Sequence, residues 1–457
     1  MAITPSDRGT WSSKTGFILA AAGSAIGLGN IWRFPYTAGE NGGGAFVLIY
    51  LVFVALVGIP VLLAELSVGR ETERNPVGAF KALVPDSWWP AVGGLGVLTG
   101  FGILAFYSVV AGWTLAYLFK AVTGGFAANM TSEASATLFN EIVGDPSLAI
   151  LLTAIFLLLT VGVVRGGISG GIERATRILM PLLFIILIIL AIRAVTLPGG
   201  FKGVSYLFTP DFSKLTVGVV MSALGQALFS LSLGMGAMIT YGSYFPETEN
   251  LPFAGASVAI FDTLIAIIAG LIIFPAVFSV GAEAGGGPGL VFIALPTIFG
   301  SLPAGGLFAV AFYFLLVIAA LTSTISLLEV AVSYLVDERE WKRRRAAWTT
   351  GAICFVIAIP SALSQGAVDF LGANGLFAWD FLTINNNIWG NYSLSIGAIL
   401  ICVFVGWKWG IPRAIESLER GGHRLPAPAF FGFLVKFVCP VAVAIVLGFI
   451  IITGNYF

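Results

Sequence analysis

The chain has 457 residues, of which 58% are hydrophobic and 10% charged, and its mean hydropathy is +0.98. A soluble domain carries about a quarter charged residues, so this composition excludes one and describes an integral membrane protein. Twenty-three basic residues balance 23 acidic ones, which leaves no net charge to draw in nucleic acid.

The segment from Met1 to Lys14 is polar and lacks the apolar core and cleavage site of a signal peptide, so insertion is expected to use the first spanning helix. Apolar stretches of roughly 20 residues, the length that crosses a bilayer, fall near 15–36, 45–69, 92–122, 148–164, 175–195, 216–243, 254–280, 305–336, 346–363, 377–407 and 431–453. Eleven spans are therefore expected, in an all-α polytopic membrane protein. Lysine and arginine gather in alternate loops, from Arg8 and Lys14 through Arg70, Arg74 and Lys81 to the basic run Lys342–Arg345. The loop Gly124 to Asp145 has none. The positive-inside rule then puts the N-terminus in the cytoplasm and Phe457 outside. The acidic loop Phe245 to Asn250 is an exception to the pattern.

The first span contains Gly23-Ser24-Ala25-Ile26-Gly27-Leu28-Gly29-Asn30. Three glycines in eight residues predict local unwinding, because glycine is the poorest helix former after proline. Freed carbonyls and N–H groups cannot face lipid and are tolerated only where they line a polar site. A cation beside an anionic group would use both kinds of backbone atom, so this stretch reads as a binding site.

In the second span Pro60 marks a kink, and Glu65 follows at a depth where a carboxylate is costly. Glu65 is expected to brace unwound backbone by accepting its N–H groups; the alternative is a protonated structural carboxyl. Pro181 marks a second kink. The sixth span repeats the mixture of glycine and hydroxyl residues from Gln226 to Gly236, five spans after the first. That recurrence points to an inverted repeat of five plus five helices with the site at their interface, and leaves the eleventh span outside the repeat.

The run Gly285-Gly286-Gly287-Pro288-Gly289 and the following Leu290 to Phe299 are too punctuated to span and read as an external hairpin. In the eighth span Thr322-Ser323-Thr324 could simply bond back to helix carbonyls. Set beside the carbonyls of Gly23 and Ile26, they could instead complete the hard oxygen shell of a cation. Arg33 and Asp380, near the outer ends of their spans, can pair across a vestibule; independent snorkelling is the alternative. Glu329 stays open between a functional carboxyl and a satisfied internal one.

Cys354, Cys402 and Cys439 lie in separate apolar segments without metal-ligand spacing, and the sole histidine, His423, sits in a basic loop. No nucleophile elbow, P-loop or metal cluster points to an enzyme or an organic cofactor.

The chain resembles the neurotransmitter:sodium symporter family, bacterial amino-acid transporter branch, with the LeuT fold. The likeness is carried by GSAIGLGNIWRFP (Gly23 to Pro35), NGGGAF (Asn41 to Phe46), GIPVLLAELSVGR (Gly58 to Arg70), GIERATRILMPLLF (Gly171 to Phe184), Gln226 to Tyr244 and Leu321 to Glu338. It implies one transporter domain over 1–453, with repeats of about 10–196 and about 214–408 and an extra helix at about 431–453.

The resemblance further implies two sodium sites. One would use the Ala25 carbonyl, Asn30, Ser230, Asp262 and the substrate carboxylate. The other would use the carbonyls of Gly23, Ile26 and Ala319 with the hydroxyls of Thr322 and Ser323. The substrate would meet Leu28, Gly29 and Tyr107 at its carboxylate, and carbonyls near Ala25, Phe229 and Ser232 at its amine. Its side chain would lie among Ile103, Tyr107, Phe229, Ser232, Met235, Ser323 and Leu327, with Ser230 nearby. Monoamine transporters of this family carry an aspartate where this chain has Gly27, so an α-amino acid that brings its own carboxylate is implied. The pocket is uncharged and includes Met235 where some relatives have phenylalanine, which implies a hydrophobic and large or aromatic side chain.

The implied gates are Arg33 with Asp380 and Tyr107 with Phe229 outside, and Arg8, Trp11, Tyr244 and Asp337 inside. Asp262 stands where asparagine is usual, and Ala266 where chloride-dependent relatives have a serine, so chloride independence is expected. The function implied is sodium-coupled symport of an amino acid into the cell across the bacterial cytoplasmic membrane, as a monomer or homodimer. The alternative is a non-transporting amino-acid sensor that keeps the binding site.

Overall fold

The computed structural model describes residues 10–126, 130–281, 289–302, 304–373, 375–376 and 378–454. Arg8, Gly285 to Pro288 and Phe457 therefore lie outside the described residues. Those described are helical almost throughout, and the strand-like pairing among them is one isolated bridge, Gly43 with Pro210.

The first apolar stretch forms α1 (Lys14–Ala25) and α2 (Gly29–Glu40), which meet at 51°. Then come α3 (Gly44–Thr72), α4 (Pro90–Val122), α5 (Pro146–Val164) and α6 (Ile168–Val195). The sixth stretch again forms two helices, α7 (Val217–Ser230) and α8 (Ala237–Gly242). After them run α9 (Leu251–Ser279), α10 (Gly305–Arg339), α11 (Arg343–Leu363), α12 (Phe381–Glu419) and α13 (Pro428–Thr453). Among the described residues, nine of these helices are each long and apolar enough to cross a membrane, and the bent pair α1–α2 adds a tenth crossing. The broken pair α7–α8 fills the remaining predicted position, so the breaks fall in the first and sixth of the eleven expected spans.

Both breaks follow from local chemistry, but the first is narrower than the glycine run suggested. Ile26 is extended at φ −73° and ψ 106°, and the ladder resumes at Gly29 in a wide π-helical turn. Gly23 stays helical. Its role is close packing, since a β-carbon there would lie 3.1 Å from Met180 Sδ and 3.3 Å from Thr322 Cβ. In the second break Gly234 and Gly236 take φ of 78° and 74°, the left-handed region open to glycine, and Ser232 joins them at 54°. Gly234 also permits contact with α12, where a β-carbon would come within 2.2 Å of the Leu394 carbonyl.

Around the breaks, α4 and α10 pack together along much of their length. At the periphery α6 shows Ile185, Ile188, Ile189 and Ile192 at 49–61% exposure, the apolar surface a lipid-facing helix needs. Pro60 follows a π-helical turn at Val54–Gly58, whereas α6 continues through Pro181. Residues 290–301 form a short helical segment over the bundle end, too short to span. Tyr313 and Tyr117 cap its Val291 and Phe292 carbonyls at 2.9 and 2.6 Å.

Candidate functional site

The break in the first span lies against α10, and oxygens from both converge there. Thr322 Oγ1 is 3.4 Å from the Ile26 carbonyl and 3.0 Å from that of Ala319. Ser323 Oγ is 3.4 Å from the Ile26 carbonyl and 3.3 Å from that of Ser24. A hard cation holding ligands at about 2.4 Å spaces neighbouring oxygens by about 3.4 Å. The Ile26, Ala319, Thr322 and Ser323 oxygens are thus gathered at one place, at spacings that their hydroxyl hydrogen bonds also account for, and Gly23 adjoins Thr322.

A second polar cluster joins α2, α7 and α9. Asn30 Nδ2 donates to Asp262 Oδ1 at 2.7 Å, to the Asp262 carbonyl at 3.0 Å and to Ser230 Oγ at 3.0 Å. Its Oδ1 accepts from the Gly27 N–H at 3.0 Å. Ser230 Oγ donates to Asp262 Oδ2 at 2.7 Å, and the Tyr50 hydroxyl approaches both residues at 3.5 Å. Three oxygens therefore point at one donor, and all of these side chains are buried.

Between the two clusters is a cavity of about 20 Å³ lined by Ser24, Ala25, Gly27, Gly29, Ile103, Tyr107, Phe229, Ser232, Met235, Ser323 and Leu327. Ile103, Tyr107, Phe229, Ser232, Met235, Ser323 and Leu327, expected around the substrate side chain, are on its wall, whereas Ser230 is not. The Leu28 N–H donates to the Tyr107 hydroxyl at 2.8 Å. A β-carbon at Gly27 would lie 2.2 Å from Ser323 Oγ and 2.6 Å from the Tyr107 hydroxyl, and one at Gly29 would lie 3.2 Å from the Phe229 ring. The wall has no room for a side chain at Gly27 unless Ser323 and Tyr107 move, and is tight at Gly29. Above lies a vestibule of about 330 Å³, and Gly29, Tyr107 and Phe229 line both spaces.

The expected Arg33–Asp380 gate pair is not made in this structure. Among the described residues no ion pair joins them; Arg33 lies over the Phe229 ring, 4.2 Å from its centroid. Asp380 caps its own helix by accepting from the Thr383 N–H at 2.9 Å, and Gln365 Nε2 donates to it at 2.6 Å. The vestibule, lined by Arg33, Gln365 and Thr383, occupies the space that such a pair would close.

The opposite end is held together by several contacts among the described residues. The Trp11 N–H donates to the Tyr244 carbonyl at 3.3 Å and its indole to that of Tyr241 at 3.2 Å. The Tyr244 hydroxyl donates to Glu329 at 2.8 Å, and Arg343 is ion-paired with the same carboxylate. Asp337 accepts from the Asn75 N–H at 2.9 Å. Glu65 Oε1 accepts from the Gly234 N–H at 2.7 Å, while its Oε2 has no partner among the described residues.

Three residues that the site uses carry no role in the sequence reading. Ser24 offers its carbonyl to both Ser232 and Ser323 hydroxyls, at 3.2 and 3.3 Å. Gln226 Nε2 caps the Gly29 carbonyl at 2.8 Å. Tyr50 covers Asp262. Gln226, a polar residue in an apolar span beside the second break, offers the clearest sequence signal of the three.

A bundle whose two broken helices surround hard oxygens and a small cavity has the architecture of a secondary transporter. The profile of the sodium:neurotransmitter symporter family matches residues 8–140 and 140–456. The chain is 40% identical over 439 residues to the Bacillus subtilis sodium-dependent transporter YhdH, covering 95% of this chain and 96% of that one. It is 28% identical over 477 residues to the Drosophila melanogaster sodium-dependent serotonin transporter, covering 92% and 73%. The crystal structure of MhsT in complex with L-phenylalanine superposes with a TM-score of 0.88 at 44% identity, over 96% of this chain and 99% of that one. The chain belongs to the sodium:neurotransmitter symporter family. It is a sodium-dependent, multi-pass membrane symporter with the LeuT fold, not an enzyme.

Proposed function

We propose that this protein moves a hydrophobic α-amino acid, with a large or aromatic side chain, into the bacterial cell together with two sodium ions. The uncharged cavity wall carries this reading, with Ile103, Phe229, Met235 and Leu327 on its apolar side and Gly27 too crowded to become an aspartate. An amine without its own carboxylate would lack a counter-charge there. The L-phenylalanine in the MhsT structure, at 44% identity, agrees with the substrate class.

Sodium enters as co-substrate. The Ile26, Ala319, Thr322 and Ser323 oxygens, with the carbonyl of Gly23, would hold one ion. Asn30, Ser230, Asp262 and the Ala25 carbonyl would hold the other, the Asn30 amide turning its oxygen toward it. The substrate carboxylate completes this second shell, so ion and amino acid each favour binding of the other. At about 100 mV each charge contributes roughly 2.3 kcal/mol, and a tenfold gradient about 1.4 more. Two ions then supply about 7 kcal/mol, enough for accumulation by about five orders of magnitude.

Asp262 is the anionic partner of this arrangement and removes any need for chloride, since Ala266 beside it offers no donor. Glu65 is the brace, Tyr107 and Phe229 the aromatic lid, and Arg33 with Asp380 the outer pair of a more closed state. Trp11, Tyr244, Asp337 and Arg8 close the cytoplasmic side. The protein is one transporter domain over 1–453, its repeats spanning about 10–196 and about 214–408, with the N-terminus cytoplasmic and the C-terminus outside. The test is competition by the twenty amino acids against labelled L-phenylalanine uptake in sodium-containing medium. Strong competition by Phe, Tyr, Trp and Leu and none by charged residues supports the reading; a preference for glycine or alanine contradicts it.

A further inference from the structure

Between α3, the start of α9 and the chain that enters α13 lies a crevice of about 410 Å³, which shares no lining residue with the cavity or the vestibule. Its apolar walls are Ile59 and Leu63 of α3, Phe253 of α9, and Phe430, Phe431 and Leu434 of α13. Phe253 and Phe430 are 56% and 53% exposed, so the crevice opens on the flank of the bundle. Packing shapes it. Gly255 lets α9 approach α3, since a β-carbon there would lie 2.7 Å from Leu63 Cδ2. Cys439 Sγ donates to the Leu56 carbonyl at 3.7 Å, which closes α13 on α3 at the deep end beside Ala55. The other end is basic. Arg424 lines the mouth, and Lys14 Nζ lies 4.4 Å from the centroid of the Phe253 ring. Among the described residues neither cation is paired with a carboxylate; Glu419, close to Arg424 in sequence, accepts instead from the Leu425 N–H at 3.0 Å.

We propose that this crevice is a binding site for an anionic phospholipid, with one acyl chain filling it and the phosphate set against Arg424 and Lys14. Its three walls belong to helices long and apolar enough to cross the membrane, so its open side meets lipid. The length fits a chain. From Ala55 to Leu63 α3 rises about 12 Å, close to the roughly 15 Å of hydrocarbon in one leaflet. Walls of this kind give a water molecule too few polar partners to hold it there. The basic mouth then selects the head group. Basic pockets between spanning helices attract anionic head groups, and each Lys or Arg near the membrane surface contributes about fivefold in affinity. Both side chains can lay their stems along apolar surface while their charged ends reach the phosphate. In the orientation proposed above, on which this part rests, the mouth opens to the cytoplasmic leaflet, whose anionic lipids give it a negative surface potential. The lipid ties α3, which carries Glu65, to α9, which carries Asp262.

The experiment uses the purified full-length protein in a nonionic detergent, with phosphatidylglycerol that carries a diazirine on one acyl chain as the probe. Photolabelling should fall on residues 55–63 and 430–434. Unlabelled phosphatidylglycerol should displace the probe at a concentration at least about fivefold below that of phosphatidylcholine with the same chains. Arg424→Gln should weaken probe binding about fivefold, and Arg424→Gln with Lys14→Gln about 25-fold, with loss of the preference between the two lipids. Ala55→Phe, which fills the deep end, should reduce labelling while leaving that preference in place. Inorganic phosphate should not displace the probe. Labelling that misses these residues, equal displacement by the two lipids, or binding unchanged in the doubly substituted protein would overturn the proposal. Displacement by inorganic phosphate would reduce the site to one for a bare anion and overturn the acyl-chain assignment. The readout is binding in detergent, so its outcome and that of sodium-driven uptake are independent.

Discussion

Asn30 and Asp262 meet at 2.7 Å, amide nitrogen to carboxylate oxygen, and so tie the outer half of the broken first span to α9. The carboxylate belongs to the cluster that would hold a sodium ion next to the substrate. Removing its charge leaves two sodium ions with only the substrate carboxylate to balance them, an uncompensated positive charge in a low-dielectric site, at a cost of several kcal/mol. Asp262→Asn should therefore lower apparent sodium affinity by at least about tenfold. Uptake by the unmodified protein should be indifferent to replacing chloride with gluconate. Adding Ala266→Ser to Asp262→Asn should restore some uptake only with chloride present. Chloride-dependent uptake by the unmodified protein would refute the role given to Asp262.

Thr322 and Ser323 supply the side-chain oxygens of the other cluster. Replacing both with alanine should abolish sodium-stimulated substrate binding, measured by scintillation proximity, while the purified protein still elutes as a single species. Sodium dependence surviving in the double variant would remove these hydroxyls from the ion's shell.

Glu65 accepts the Gly234 N–H inside the second break. Glu65→Ala leaves that donor buried and unpaired, which costs about 1–3 kcal/mol. It should lower the unfolding midpoint and stop transport, whereas Glu65→Gln keeps a carbonyl acceptor and should retain most of both. Equal damage from the two substitutions would show that charge, not hydrogen-bond acceptance, is what the position supplies.

Gly27 has no space for a side chain, with Ser323 Oγ and the Tyr107 hydroxyl at 2.2 and 2.6 Å from a β-carbon there. Overpacking of this kind costs about 1–3 kcal/mol. Gly27→Ala should thus weaken substrate binding by roughly 5-fold to 150-fold. Binding by Gly27→Ala as tight as that of the unmodified protein would show that this wall yields freely.

Met235 lies on the apolar wall of the cavity and, being unbranched, yields to what it touches. Met235→Phe should raise the KM for tryptophan more than that for leucine, because the larger ring takes up room the indole needs. An equal rise for both would place the substrate side chain elsewhere.

Much of the site is legible in the sequence because membrane depth makes polar chemistry conspicuous. Three glycines and an asparagine in the first span, or a carboxylate at 65, have few explanations in hydrocarbon. The extent of the first break is less legible, since Gly23 serves packing against Met180 and Thr322 and only the neighbours' positions reveal that. The Arg33–Asp380 contact depends on how far the vestibule is closed, a property of conformation that residue identity does not encode. The contact of Glu173 with Ser12 and Ser13 is not legible in the sequence, because these are ordinary polar residues 161 and 160 positions away.

The central claim is that a sodium gradient drives an amino acid uphill through this protein. The direct measurement is uptake of labelled L-phenylalanine into proteoliposomes under an inward sodium gradient and an inside-negative potential. Net accumulation above the external concentration, abolished by replacing external sodium with choline, is the predicted result. Binding without accumulation, or accumulation that persists in choline, would contradict it.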